Sequence, residues 1–307
     1  MLVFRLALRA LRWRASASVA VFLVALTGVL AATAGPIYLH ALDDTVLTER
    51  LSGTSADQLD TMIERSTLAG IPHITWSGDL QAVARTAADP RWYGAPVYES
   101  SVDMYLDVDG RSGTRLAALG GICAHVTITD GRCLADGSTD ETIVSARTAA
   151  ELNLTVGATI APQPITDTAA VRLTIVGIFQ PVDPTGGYWE PWGLFDARPA
   201  IGNQLAHVDS LLVTPQALSS RTNTLEEKLA ALVPLRPTAV HLDDRPALLA
   251  TVRASQALAV HRSTQASANY QDLTPTMVTT GLPTVLSRTA TEMSLARTLV
   301  TVATAQL

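Results

Sequence analysis

The chain of 307 residues is 48% hydrophobic and 16% charged, enough apolar material for a packed core and far from the composition of a disordered chain. Its formal net charge is −6; four arginines fall in the first 14 residues, so the remainder stands at −10, with 18 basic against 28 acidic residues. That balance gives no electrostatic reason to bind nucleic acid and is poorly suited to lying on an anionic membrane surface.

Ala15 to Leu39 runs for 25 residues without a charged side chain. As a helix rising roughly 1.5 Å per residue it reaches about 37 Å, enough to cross a hydrocarbon core of about 30 Å with some tilt. Arg5, Arg9, Arg12 and Arg14 precede it, and Asp43, Asp44 and Glu49 follow. Positive charge resists translocation, so residues 1–14 are expected in the cytoplasm, 15–39 in the bilayer, and everything after Leu39 outside. A cleaved signal peptide is the rival reading, because Ala32-Thr33-Ala34 satisfies the small-x-small rule. Both readings export the same domain, expected over residues 40–282.

Ala41 to Arg65 is expected to be loosely helical, with a break at Ser52-Gly53-Thr54. Asp79 to Ala88 reads as a short helix: Asp79 caps it, Leu80, Val83 and Ala84 share a face, and Asp89-Pro90 ends it. Val97 to Val108 alternates, with Val102, Met104, Leu106 and Val108 on one side. Asp109-Gly110 turns the chain and Thr114 to Leu119 begins the return, which predicts a hairpin. The Asp107–Gly110 run fails as a calcium loop, since its first ligand position falls on Tyr105.

The two cysteines, Cys123 and Cys133, both lie in the exported part. A strand ending at Asp130-Gly131 turns the chain back and brings the sulfurs within bridging distance, and outside the cytoplasm such a bond persists. Two independent buried thiols are the alternative. Zinc is disfavoured, because one nearby histidine, His125, does not complete a closed site.

Glu141 to Ser145 reads as a strand, Ala146 to Leu152 as a short helix, and Asn153 to Gly157 as a turn into Ala158-Thr159-Ile160. After a proline-containing loop, Val171 to Phe179 alternates as a strand. The string from Ile143 to Ile160, followed by Leu173 to Phe179, resembles the extracytoplasmic core of FtsX-like permeases, the MacB type of ABC transporter permease. The resemblance rests on a strand, a short helix, the Leu154-x-x-Gly157-x-x-Ile160 pattern and the Thr174-Ile175-Val176-Gly177-Ile178-Phe179 strand. It covers most of the chain, and its motifs are structural; none names a reaction.

Asp183 to Pro199 is an irregular loop holding Tyr188, Trp189, Trp192 and Phe195. It reads either as a patch that contacts a partner or lipid, or, the favoured reading, as a loop folded over its own domain with these rings as its core. Val208 to Thr214 is expected as a strand, Pro215 to Leu232 as a helix with Leu225, Leu229 and Leu232 on one face, and Thr238 to Leu242 as a further strand. Pro246 to about Tyr270 reads as a long helix with Leu248, Leu249, Val252, Leu258 and Val260 inside. Gln271 to Pro275 is expected to bend the path, because Pro275 disfavours helix at Thr274. Strands and helices mixed without strict alternation favour an α+β fold over a doubly wound sheet.

From Pro283 the chain regains a helical, apolar character, and the ten residues Thr298 to Leu307 are uncharged. Ten residues do not cross a bilayer. The resemblance implies that 283–307 leads into a second membrane helix, here truncated; an amphipathic helix docked on the domain is the alternative.

No phosphate loop, H-E-x-x-H, G-x-S-x-G or C-x-x-C pattern is present. The six histidines are scattered, and the Asp43-Asp44 and Asp243-Asp244 pairs read as solvated or capping residues. The sequence therefore predicts neither an enzyme nor a cofactor. The resemblance implies the N-terminal portion of a permease subunit that couples a separate cytoplasmic ABC-type ATPase to an extracytoplasmic domain. Further permease segments or a second permease copy, and the lipid bilayer, are the other implied partners. A stand-alone anchored or secreted binding protein is the alternative, and an extracytoplasmic hydrolase a more distant one.

Overall fold

The computed structural model describes residues 19–26, 43–66, 73–108, 111–165, 170–201, 205–219, 227–269 and 275–305. They divide into two units, Met1–Gly53 with Thr289–Leu307, and Thr54–Arg288. In the first unit, residues 19–26 are helical and expose Val19, Val21, Phe22, Leu23, Val24 and Leu26. A second helix, α1, occupies 43–52 and buries Leu47 and Leu51. Most of the expected membrane helix, together with Arg5, Arg9, Arg12 and Arg14, lies outside the described residues. Among the described residues no helix is long and apolar enough to cross a membrane.

The second unit begins with α2 (Ala56–Leu59), β1 (Thr61–Ser66), α3 (His73–Ala87), β2 (Val97–Asp107) and β3 (Arg111–Leu119). A 3-10 turn at Ile122–Ala124 precedes β4 (Val126–Gly131), β5 (Glu141–Ser145) and α4 (Ala146–Glu151). Next come β6 (Thr159–Ile160), β7 (Gln163–Pro164), β8 (Leu173–Pro181), β9 (Ala206–His207), β10 (Leu211–Leu212) and α5 (Pro215–Ser219). The chain closes with β11 (Lys228–Val233), α6 (Arg245–Asn269), β12 (Met277–Thr279) and α7 (Leu282–Ala305), whose later turns belong to the first unit. Among the described residues, twelve strands form one sheet in the order β12-β1-β11-β2-β3-β10-β5-β8-β4, with β6 on β8, β7 on β2 and β9 on β3. Parallel pairs (β3–β10, β3–β9, β5–β8) sit among antiparallel ones, a mixed α+β architecture.

The hairpin forms as its alternation predicts: β2 and β3 pair antiparallel from Glu99–Leu119 to Asp107–Arg111. Residues 109 and 110 at its tip lie outside the described residues. Because side chains alternate between faces, Leu116 and Ala118 join one core cluster and Ala117 and Leu119 the other. The two clusters occupy opposite faces of the sheet.

Both patterns that carry the permease resemblance have a physical cause here. Ser145 caps α4 by accepting a 3.1 Å hydrogen bond from the Thr148 amide, and Gly157 holds φ +86°, a left-handed conformation open mainly to glycine. The turn at Gly157 returns the chain so that Leu154 and Ile160 both enter the core. In β8, Thr142 of β5 pairs with Ile175 but Ile143 pairs with Gly177, so Val176 is one residue in excess. The bulge flips the alternation: Leu173 and Ile175 face one cluster, Phe179 the other.

Several expected elements differ. Residues 61–65 form a strand rather than the end of a helix, with Thr61, Ile63 and Arg65 buried in alternation. The inward Arg65 conceals the apolar period in the sequence. Asp79 lies inside α3, which starts six residues earlier, at His73, so it is not a cap. Pro215–Leu232 is not one helix: α5 stops at Ser219, and Lys228–Val233 is a strand between β1 and β2. Its Leu, Ala and Lys residues are good helix formers, but the site between two strands buries five of its six residues and overrides propensity. Thr238–Leu242 lies across two 3-10 turns, and Val208–Thr214 contributes only Leu211 and Leu212 as a strand. The long helix forms as α6, burying Leu248 and Val252, but Val260 is exposed. Gln271 to Thr274 lie outside the described residues.

A methyl group at Gly177 would overlap the Arg132 carbonyl of β4's extension, whereas one at Gly120 would meet nothing within 4 Å. We expect Gly177→Ala to cost about 1–3 kcal/mol and Gly120→Ala far less. Urea midpoints of the two variants check this; equal midpoints would remove the close approach as the reason for glycine.

Candidate functional site

Two neighbouring strands place both ends of the sheet domain together. β1 follows directly from α2, and β12 leads directly into α7. The two strands pair antiparallel, Met62 with Thr279, Ile63 with Val278 and Glu64 with Met277. Antiparallel pairing sets the start of β1 beside the end of β12, so the chain enters and leaves the sheet at one end. Gly281 packs on Gln58 there: a Cβ at Gly281 would meet the Gln58 carbonyl oxygen at 2.8 Å. Within the first unit, Arg50 of α1 pairs with Glu292 of α7, Nη2 to Oε2 at 3.1 Å. With both side chains about half exposed, that ion pair marks proximity more than it adds stability.

The aromatic loop is consumed by its own domain. Trp189, Trp192 and Leu194 are buried, in the cluster that holds Ala117, Leu119 and Phe179. The Tyr188 ring stacks on His125 at 3.5 Å, and its hydroxyl donates to the Gly120 carbonyl at 2.9 Å. Trp189 Nε1 donates to the Val182 carbonyl at 3.0 Å, and Arg115 donates to the Trp192 carbonyl at 3.0 Å. The favoured sequence reading, a loop with its rings as core, matches this packing.

Arg115 belongs to a charged row across the sheet. Asp103 accepts from Arg115 Nε at 3.3 Å and from Lys228 Nζ at 2.6 Å. Glu99, four residues earlier on β2, is 5% exposed and its Oε1 has no hydrogen-bond partner. Burial pushes its carboxyl up to about 7; the Ser101 hydroxyl, Arg115 and Lys228 pull the other way, and Glu227 adds to the rise. Burial likewise raises Asp60 to about 6, against the lowering effect of the Leu235 amide, which donates to it at 2.8 Å.

A pocket of about 140 Å³ opens between α3 and the sheet, bordered by Ser77, Leu80, Gln81, Tyr98, Ser100 and Leu229. Glu99 also lines it, and the Ser100 hydroxyl on its wall donates to the buried Glu227 carboxylate; among the described residues no group of three His, Cys, Asp or Glu side chains is placed to hold a metal ion.

Of the residues singled out in the sequence, Cys123 lies in the 3-10 turn before β4 and Cys133 just beyond that strand. The structure joins them, with Cα atoms 6.0 Å apart, so the bond spans β4 rather than closing a hairpin. Asp244 caps its 3-10 turn by accepting from the His241 amide at 3.0 Å. Sequence reasoning missed Glu99 and Arg65. The Glu99-x-Ser101-x-Asp103 spacing on a strand was the available sign that one face is polar.

Two tests follow from this geometry. Glu99 is protonated in the folded chain up to about pH 7 but ionises near 4.5 when unfolded. The unfolded state therefore loses its proton first, and stability falls as pH rises from 4.5 to 7, then levels off. Glu99→Gln should flatten that slope and be the more stable chain at pH 8; an unchanged profile of unfolding free energy against pH would refute it. For the cysteines, thiol labelling of denatured, unreduced protein should find none free, and the bond should contribute roughly 2–3 kcal/mol. Labelling of both would exclude it.

No protein-family model matches the chain, and no curated protein matches it. Among solved structures, the chain is similar to the extracellular domain of the ABC-type transporter YknZ from Gram-positive bacteria, at 12% identity and TM-score 0.37, covering 71% of this chain and 99% of that one. It is also similar to the periplasmic region of MacB from Actinobacillus actinomycetemcomitans, at 9% identity and TM-score 0.36, covering 76% of this chain and 94% of that one. A third is a domain of a putative permease protein from Porphyromonas gingivalis, at 13% identity and TM-score 0.35, covering 73% and 92%.

Proposed function

We propose that this chain is the N-terminal portion of an FtsX-like ABC permease subunit, carrying one membrane helix at 15–39 and an extracytoplasmic α+β domain. In this reading Arg5, Arg9, Arg12 and Arg14 hold the N-terminus in the cytoplasm. A separate cytoplasmic ATPase binds and hydrolyses nucleotide, since the chain has no phosphate loop of its own. Its motion reaches the outer domain as a pull or twist on two chain connections, not as a ligand entering a pocket. The chain itself is not an enzyme.

The observation that supports this reading best is the β1–β12 pairing. It brings the incoming and outgoing connections to one end of the sheet, so relative displacement of two membrane helices acts on two adjacent, hydrogen-bonded strands. Connections leaving from opposite ends would give the membrane no common lever. The motif strand at Thr174–Phe179 adds the sequence resemblance.

The test uses Arg50→Cys with Glu292→Cys in membranes. The pair should crosslink readily, an ATPase should co-purify with the crosslinked chain, and crosslinking should differ between ATP and ATP-vanadate. Crosslinking without any associated ATPase or nucleotide response would instead favour a stand-alone anchored binding protein. Failure to crosslink would remove the shared base.

A further inference from the structure

Arg65 is the least explained side chain in the sheet domain. It sits in β1 with its side chain 0% exposed, and Nε, Nη1 and Nη2 all lack a hydrogen-bond partner. The nearest carboxylate oxygen, Asp79 Oδ2 on α3, is 3.9 Å from Nη1, too far for a hydrogen bond. Asp79 is already engaged: its Oδ1 accepts from Arg262 Nη1 of α6 at 3.1 Å. One carboxylate thus stands between two guanidiniums, of which Arg262 is 41% exposed and meets solvent while Arg65 does not.

A second unsatisfied group lies beside it. Thr276 follows the register one step beyond the Glu64–Met277 pair, which sets it opposite Arg65 on the same face of the sheet. It is 6% exposed, and its hydroxyl has no partner, although its amide donates to Ser263 Oγ of α6 at 2.8 Å. Ser263 in turn donates to the Ala259 carbonyl at 2.8 Å, so its proton is committed elsewhere. The unused groups here are all donors: three guanidinium nitrogens and one hydroxyl.

A guanidinium stays charged at any ordinary pH, and burying it without a hydrogen-bonded counter-ion is unfavourable. Unsatisfied donors on a buried guanidinium with no hydrogen-bonded counter-ion, brought to one place by β1, β12, α3 and α6, define the missing piece chemically. We infer that Arg65 and Thr276 bind a small inorganic monoanion of the halide class, with Asp79 and Arg262 setting the charge balance. A neutral water would satisfy donors but leave the charge; a bulky organic anion has no exposed path to a side chain with no accessible surface.

This inference does not depend on the permease reading, and its test is made on the full chain in detergent. Thermal midpoints are measured in sodium chloride and in sodium gluconate at one fixed ionic strength. Chloride should raise the midpoint saturably, bromide should substitute for it, and gluconate should not. Arg65→Met removes the charge and keeps the volume, so it should abolish the chloride response and match or exceed the wild type in gluconate. Thr276→Val, which keeps every charge, should weaken the response, and chloride-35 line broadening should follow the same order. Equal wild-type midpoints in chloride and gluconate would overturn the site, as would an undiminished chloride response in Arg65→Met. Should Arg65→Met fail to fold, an undiminished response in Thr276→Val together with no chloride-35 broadening by the wild type would overturn it equally.

Discussion

The antiparallel contact between β1 and β12 is the constraint on which the sheet domain depends. It joins residues more than two hundred positions apart in the chain, and three register pairs suffice to fix it. Closing so long a loop carries an entropic cost that grows only slowly with length, so the burial of Ile63 and the β11 neighbours can offset it. Once it is made, the first and last strands of the domain are neighbours and the remaining order, through β11 to the β2–β3 hairpin, extends from them. Tied at one end this way, the two connecting strands are held to each other by hydrogen bonds that run across the strands.

Local chemistry made the middle of the chain readable. The β2–β3 hairpin and the β5–α4–β6–β8 run are formed by neighbours in sequence, and their turns declare themselves through Gly157 and the Ser145 cap. The strands that failed to read are those whose environment comes from far away. β11 is written in helix-forming residues and becomes a strand because β1 and β2 flank it. β1 hides behind Arg65, a charged residue on an inward-facing position. Alternation finds strands whose buried face is apolar; it is blind where a buried face carries charge. The bulge at Val176–Gly177 was hidden for a related reason, since Ile175 to Phe179 holds no polar side chain to mark the phase change.

The same limit separates what the sequence said about function from what the structure adds. That both ends of the domain return to one base follows from the order of its segments, but the strands that make it, Thr61–Ser66 and Met277–Thr279, were hidden, because both are short and neither has a turn to announce its partner. Glu99 and Arg65 were likewise visible only as letters; their significance lies in burial without partners, which is a property of packing. Aromatic residues behaved differently. Four rings within eight residues in a Gly- and Pro-rich loop could not all be solvated, and Trp189 and Trp192 went inside as their area demands.

Charge in this domain is arranged asymmetrically about the sheet. On the face covered by the aromatic loop, Glu99 and Asp103 are met by Arg115 and Lys228, so acid and base nearly balance across adjacent strands. On the face covered by α3 and α6, Arg65 and Arg262 share one carboxylate, and the balance fails. The imbalance sits at the strand pair that carries both connections. A counter-ion there would bind β1 and β12 through Arg65 and Thr276 at once, adding a cross-strand tie beyond the Glu64–Met277 pair. Rigidity at the domain's exit would then be set partly by an ion rather than by the ladder alone. A short, three-pair strand contact would thereby gain stiffness where the chain enters and leaves the sheet.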